Sequence, residues 1–235
     1  VARHPDHVRA FVLTVAIMFS AFTVVPFLAP YLTSNVGMPE RHLDMMYLAG
    51  GLATMVTGPL IFGPAADRFG HARVFVITAM LSIIPIAAVT NLPRVGLPVI
   101  LTVTTLMMVM ASGRMISVTA LVTGVVEPRR RGSFMSLNSS IQQGAAGAAS
   151  FLAGLLIGGG QGAPLTGYPR VGFVAIGATL LTLVLVGRLR PAAGQAAGTP
   201  QFDTVGAPEE AAPLEAPRRA PERPRTRRHA AAGED

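Results

Sequence analysis

The sequence predicts an all-α membrane protein with six spanning helices and a disordered, charge-rich tail. Three observations carry this prediction. Long uncharged runs recur through residues 10–187. Only 13% of residues are charged against 51% hydrophobic, where a soluble domain carries roughly 25% charged residues. The Arg residues before the tail fall almost wholly between the runs. A helix needs about 20 apolar residues to cross the hydrocarbon core, and the runs meet that length.

The spans are taken in order. Residues 1–9 form an N-terminal segment, and the first span covers about 10–33. It contains Pro26 and Pro30, which remove backbone donors and soften the helix. The second covers about 45–66, with Asp44 in its first turn and Pro59 inside. The third, 74–93, contains Pro85, and the fourth, 96–126, is interrupted by Arg114. The uncharged run 132–169 is too long for one helix. Its stretch Gly158-Gly159-Gly160-Gln161-Gly162-Ala163-Pro164 ends the fifth span, 133–157, and forms a loop. The sixth, 171–187, is at the short end of the spanning range. Gly144 and Ala148, and Ser150 and Gly154, are small residues four apart on the fifth span, a helix-packing signal.

Arg placement orients the chain, because cytoplasmic loops are enriched in basic residues. With the N-terminus inside, the inner segments hold Arg3, Arg9, Arg68, Arg73, Arg129 to Arg131, Arg188 and Arg190. The outer loops hold only Arg41, Arg94 and Arg170. Both termini are therefore expected in the cytoplasm. Residues 188–235 are rich in Pro, Ala, Arg and Glu and nearly free of large apolar residues. Such a segment cannot offset its ordering entropy. Its Arg218–Arg228 cluster reads first as a solvated tail; as a contact it suits anionic lipid head groups better than nucleic acid, since no aromatic residue is interleaved and no fold surrounds it.

Several chemistries are excluded. The chain has no cysteine, so disulfides, Fe–S clusters and cysteine zinc sites are ruled out. All 19 basic residues are Arg, so there is no phosphate loop ending in Lys. The five His lie outside the spans, which leaves an intramembrane protease without a base or zinc ligands. No metal site, cofactor or enzymatic activity is expected. Abundant Arg, Ala, Gly and Pro reads as the coding bias of a GC-rich, bacterial genome.

The residues with most to say lie between the second and third spans: Gly63-Pro64-Ala65-Ala66-Asp67-Arg68-Phe69-Gly70-His71-Ala72-Arg73. Asp67 is placed to favour the positive end of the third helix or to pair with Arg73, and Gly63 and Gly70 permit close contact and a sharp turn. This stretch resembles the signature loop of the major facilitator superfamily, Gly-x-x-x-Asp-Arg-x-Gly followed by basic residues. Gly63, Asp67, Arg68 and Gly70 match at the right spacing. His71 and Ala72 stand where the family has two basic residues, and the Arg comes at 73. The segment Arg131–Ser140 with Gln142 is similar to the eleventh helix of bacterial sugar-efflux and drug–proton antiporters of that superfamily. The resemblance covers residues 1–187.

The resemblance implies one six-helix half, of two inverted three-helix units, from a twelve-helix carrier. The chain begins at Val1 rather than Met and is expected to be the C-terminal half of a longer protein. The first and fourth spans would line the substrate cavity. The second and fifth would face the other half, and the third and sixth the lipid. The signature loop (Gly63, Asp67, Arg68, Gly70, Arg73) would latch helix ends in one conformation and release them in the other; the residues alone favour a simple helix cap and a positive-inside loop. Arg114 is the one formal charge inside a span, and a charge there calls for a polar cavity or an internal partner. It resembles the fourth-helix Arg of proton-coupled members. Asn138 and Gln142, four apart, share a helix face, as cavity residues or as interhelical glue. No Asp or Glu lies within a span, so the proton-coupling carboxylate is expected in the missing half.

The function expected is half of a secondary transporter in the bacterial inner membrane. It would export a small organic compound, drug or sugar, in exchange for protons. Its partners would be the bilayer and either the missing half or a second copy; no nucleic acid is expected. The competing reading is a non-transporting orphan half.

Overall fold

The computed structural model describes residues 5–124, 126, 131–159 and 163–188. The predicted tail beyond Arg188, residues 1–4, and Arg129 and Arg130 lie outside them.

The described residues form helices that run back and forth between two ends. The first span is not one helix. Pro26 has no N–H for the Phe22 carbonyl, so α1 (Pro5–Phe22) stops there and α2 (Val25–Tyr31) resumes after two residues, running into a π-turn, Leu32–Val36. The freed Phe22 carbonyl finds a partner on another helix, and a second hydroxyl, from a later helix, binds the break. Ser150 Oγ donates to the Phe22 carbonyl at 3.3 Å, sharing its hydrogen with Ala146 O at 2.9 Å. Tyr168 O–H donates to the Val24 carbonyl at 3.0 Å.

The second span is α3 (Leu43–Thr57), a π-turn (Gly58–Phe62) and α4 (Gly63–Phe69), one continuous helical path. The expected loop is thereby shortened: Gly63, Asp67 and Arg68 are helical, and only Gly70 makes the turn. Its φ of 88° is the left-handed side that L-residues avoid. α5 (His71–Thr90) starts at once and runs through Pro85 without breaking. α6 (Leu97–Gly124), α7 (Arg131–Leu156) and α8 (Tyr168–Val186) are the remaining long helices. Five helical stretches are long and apolar enough to cross a membrane. α7 is as long, but its Ser, Asn, Gln and Gly residues make it less apolar.

Packing follows one exchange rule. α1 packs on α7 and α8, while α6 packs on α3 and α5, and α5 meets α8. Exchanging the first three spans for the last three reproduces that pattern. With the end where Gly70 turns labelled inner and the opposite end outer, α1 starts at the inner end and α6 at the outer, so the two units are inverted. Besides a small cluster of Phe62, Ala66, Val74 and Val109, two larger apolar clusters fill the interior. The outer holds Leu28, Tyr31, Ile86, Met107, Tyr168 and Ala175. The inner holds Leu13, Met18, Phe75, Val118, Phe134 and Val186. Hydroxyls and one guanidinium separate them: Ser20, Ser82, Arg114, Ser117, Thr179 and Thr182, all buried.

Close approaches use small residues. A Cβ on Gly113 of α6 would lie 2.7 Å from the Phe62 ring, so the π-turn of the second span sits against α6. On α7 the packing face is Ala145, Ala146, Ala149 and Ala153, which are buried. Gly144, Gly147 and Ala148 point to the exposed side, and a Cβ added to either glycine meets nothing within 4 Å. The expected Gly144–Ala148 contact pair is therefore not used within this bundle. The outer end is tied by Asn35, whose Nδ2 donates to Leu165 O at 2.8 Å while its Oδ1 accepts from Leu165 N at 2.7 Å. Tyr31 stacks on Tyr168 at 4.3 Å and donates to Leu92 O at 3.1 Å.

Candidate functional site

Arg114 sits in the middle of α6, about 15 Å along the axis from Gly124 at 1.5 Å per residue. It is 4% exposed. Its Nη1 donates to Ser20 Oγ on α1 at 3.0 Å and to Thr179 Oγ1 on α8 at 3.2 Å. Those two hydroxyl oxygens are 2.7 Å apart. Thr179 O–H also reaches Ala175 O at 2.9 Å, so the Ser20 hydroxyl is the donor that closes the triangle. Of the two placements expected for Arg114, the structure gives the internal partner and not the open cavity. Its partners are neutral, and no carboxylate pairs with it among the described residues. Its Nε is buried and unpartnered, as is the Ser117 hydroxyl one turn along.

Asn138 lies toward the inner end of α7, 2% exposed, and its Oδ1 accepts from Thr14 Oγ1 of α1 at 2.8 Å. Gln142, one turn deeper, is half-buried. The two share a crevice of about 20 Å³ with Thr14, Met18, Met115 and Thr119, room for about one water molecule. The structure therefore brings Asn138 and Gln142 together, between α1, α6 and α7. Arg114 is not among the crevice residues.

The signature-loop residues form a separate group at the inner end. Asp67, Arg68 and Arg73 are exposed, Gly63 is half-buried, and Arg68 lies 5.4 Å from the centre of the Phe69 ring. Gly70 is the residue before α5, and no side chain caps that helix. The expected pairing of Asp67 with Arg73, and the capping reading, are thus not realised. Asp67 points to solvent, with no ion-pair partner among the described residues.

Ser20, Thr179, Ser117 and Tyr168 were not singled out from sequence, and Ser150 only as a small packing residue, not as a hydrogen-bond donor. Each is an isolated hydroxyl in an apolar run. Their importance arises from which helices pack together, and the sequence signal is only that a buried Arg needs acceptors.

An all-α bundle of two inverted three-helix units, with one buried cation and a charged turn between its second and third spans, is the architecture of a membrane carrier half. The chain belongs to the major facilitator superfamily: the model of that family matches residues 10–229. Among solved structures it resembles the "Crystal structure of a bacterial homologue of iron transporter ferroportin in outward-facing state", with a TM-score of 0.63 and 19% identity. The match covers 79% of this chain and 45% of that one. The chain thus spans about half the length of the protein it resembles, and at this identity the likeness speaks for the fold alone. The protein is a multi-pass membrane protein of a carrier superfamily.

Proposed function

We propose that the chain is one half of a secondary active transporter. It exports a small organic compound, a drug or a sugar, against protons by alternating access, and catalyses no covalent chemistry. The observation that carries this reading is the exposed face of α7. Ser136, Ser140, Gln143, Gly144, Gly147 and Ala148 leave it polar and nearly smooth. Lipid chains offer no hydrogen bonds to such a face, whereas a second helical body packs closely on it. That body is the other six-helix half or a second copy of this chain. The exposed Asp67 and Arg68 then lie free to latch helix ends of the partner body. The excess of Arg at the inner ends supports both termini in the cytoplasm, and the composition supports a bacterial inner membrane.

The test is export of a drug and sugar panel from energised inverted vesicles. One preparation contains this chain alone, and another contains it with a second six-helix half. Export that collapses with the proton gradient supports the reading. Its absence in both preparations, with the protein present in the membrane, would leave a non-transporting half.

A further inference from the structure

The buried cation of the central layer has its partners on one side only. Arg114 Nη1 is occupied by the Ser20 and Thr179 hydroxyls. The opposite edge, Nε with Nη2, makes no hydrogen bond among the described residues. That edge is one of the two forks with which a guanidinium holds a carboxylate through parallel N–H bonds. The Ser117 hydroxyl, 0% exposed, likewise has no partner.

A guanidinium in the hydrophobic interior is costly unless it is neutralised. Hydroxyls lower that cost by hydrogen bonding but leave the charge. The membrane-crossing stretches carry carboxylates only near the ends of the second, at Glu40, Asp44 and Asp67, and among the described residues none pairs with Arg114, so the chain itself offers no counter-charge in the central layer. The layer between the two apolar clusters is otherwise made of Ser and Thr, whose hydroxyls can turn to donate to an anion.

We propose that the Nε–Nη2 edge of Arg114 and the Ser117 hydroxyl form the seat for the carboxylate of a small organic acid, so that the carrier's substrates are organic monoanions. This rests on the transport reading above and narrows its small organic compounds to carboxylic acids in place of neutral sugars. One cation, with no Lys in the chain and no second Arg in the layer, matches a carboxylate rather than a phosphate dianion. The seat lies within the half, on α6 beside its contacts with α1 and α8.

The test is a binding measurement that needs no gradient. The full chain, purified from membranes into lipid nanodiscs, is unfolded thermally at pH 7 and followed by circular dichroism. Millimolar benzoate and acetate are compared with benzamide and acetamide at matched ionic strength. The acids are expected to raise the midpoint by about 2–4 °C near saturation, and the amides to leave it unchanged. Arg114→Gln removes the shift, and Ser117→Ala weakens the apparent affinity several-fold while Arg114 stays in place. Should Arg114→Gln fail to fold, Arg114→Lys serves, because it keeps the charge and lacks the fork. Equal shifts with acid and amide, or a benzoate shift that persists in Arg114→Lys and Ser117→Ala alike, overturn the seat. So does a cooperative wild type that responds to neither acid, the result expected if a carboxylate side chain of another body already sits there. Loss of transport with carboxylate binding intact would instead count against the transport reading alone.

Discussion

The Nη1 atom of Arg114 lies 3.0 Å from Ser20 Oγ and so ties the fourth span to the first. Truncating the side chain does not undo the tie between the first and sixth spans, because Ser20 and Thr179 remain 2.7 Å apart. Arg114→Ala is therefore expected to reach the membrane at normal levels and to lose export. Immunoblots of membranes beside vesicle export measure both. Wild-type export by this variant would remove Arg114 from the mechanism.

Asn138 and Thr14 make the corresponding link between the fifth span and the first. An interhelical hydrogen bond inside a membrane bundle contributes about 0.6–2 kcal/mol. Asn138→Ala should lower unfolding stability by about that amount, and Thr14→Val by less. A double-mutant cycle read by urea or thermal unfolding should give a coupling near 1 kcal/mol. Strict additivity would show that the 2.8 Å contact carries no energy.

Asp67 and Gly70 separate function from stability in the charged turn. Asp67 is exposed and has no ion-pair partner among the described residues, so Asp67→Asn should change stability by less than about 0.5 kcal/mol. If the turn is a conformational latch, the same change cuts export severely. Gly70→Ala forces an L-residue to a φ of 88° and should cost about 1–2 kcal/mol. Unimpaired export by Asp67→Asn would return the turn to a mere connection.

Two glycines offer an opposed pair. Gly113→Ala drives a methyl to within 2.7 Å of the Phe62 ring and should destabilise by about 1–3 kcal/mol. Gly144→Ala meets nothing and should stabilise the isolated chain by up to about 1 kcal/mol through helix propensity. In the assembled carrier, Gly144→Ala should weaken association with the second body, measured by co-purification of the two. An unchanged yield of the assembly would move the interface away from α7.

The break in the first span depends on two hydroxyls. Tyr168→Phe removes one of two donors to the Val24 carbonyl, which Phe27 N still reaches at 3.2 Å, whereas Ser150→Ala takes the side-chain donor from the Phe22 carbonyl that Pro26 cannot serve. Each should cost about 1 kcal/mol. Because the chain has no cysteine, single cysteines can report the consequence. Ala29→Cys on α2 should react faster with a maleimide in either background, while Thr102→Cys on α6 should not.

Much of this was legible in the sequence, because membrane spans are dictated locally. Uncharged length placed the helices, and Gly70, spaced three residues from Asp67, placed the sharp turn. What the sequence could not supply was the identity of partners across helices. Arg114 announced itself as a buried charge, yet whether it would meet a cavity or Ser20 and Thr179 depends on how α1, α6 and α8 are rotated about their axes. The same holds for Gly144. Its spacing from Ala148 signalled a contact face, but Ala149 and Ala153 took the contact with α1. Spacing tells that a helix can be approached closely; it does not tell from which side.

The bare stripe of α7 also has a mechanical meaning. Helices that mesh through large side chains engage like cogs, at angles fixed by their ridges and grooves. A strip built from Gly144, Gly147 and Ala148 has no teeth. In the proposed assembly a body resting on it would tilt through a range of angles without lifting off or repacking, the strip would serve as a bearing, and the ring of Phe151, 71% exposed just beyond it, would be the shoulder that limits the swing.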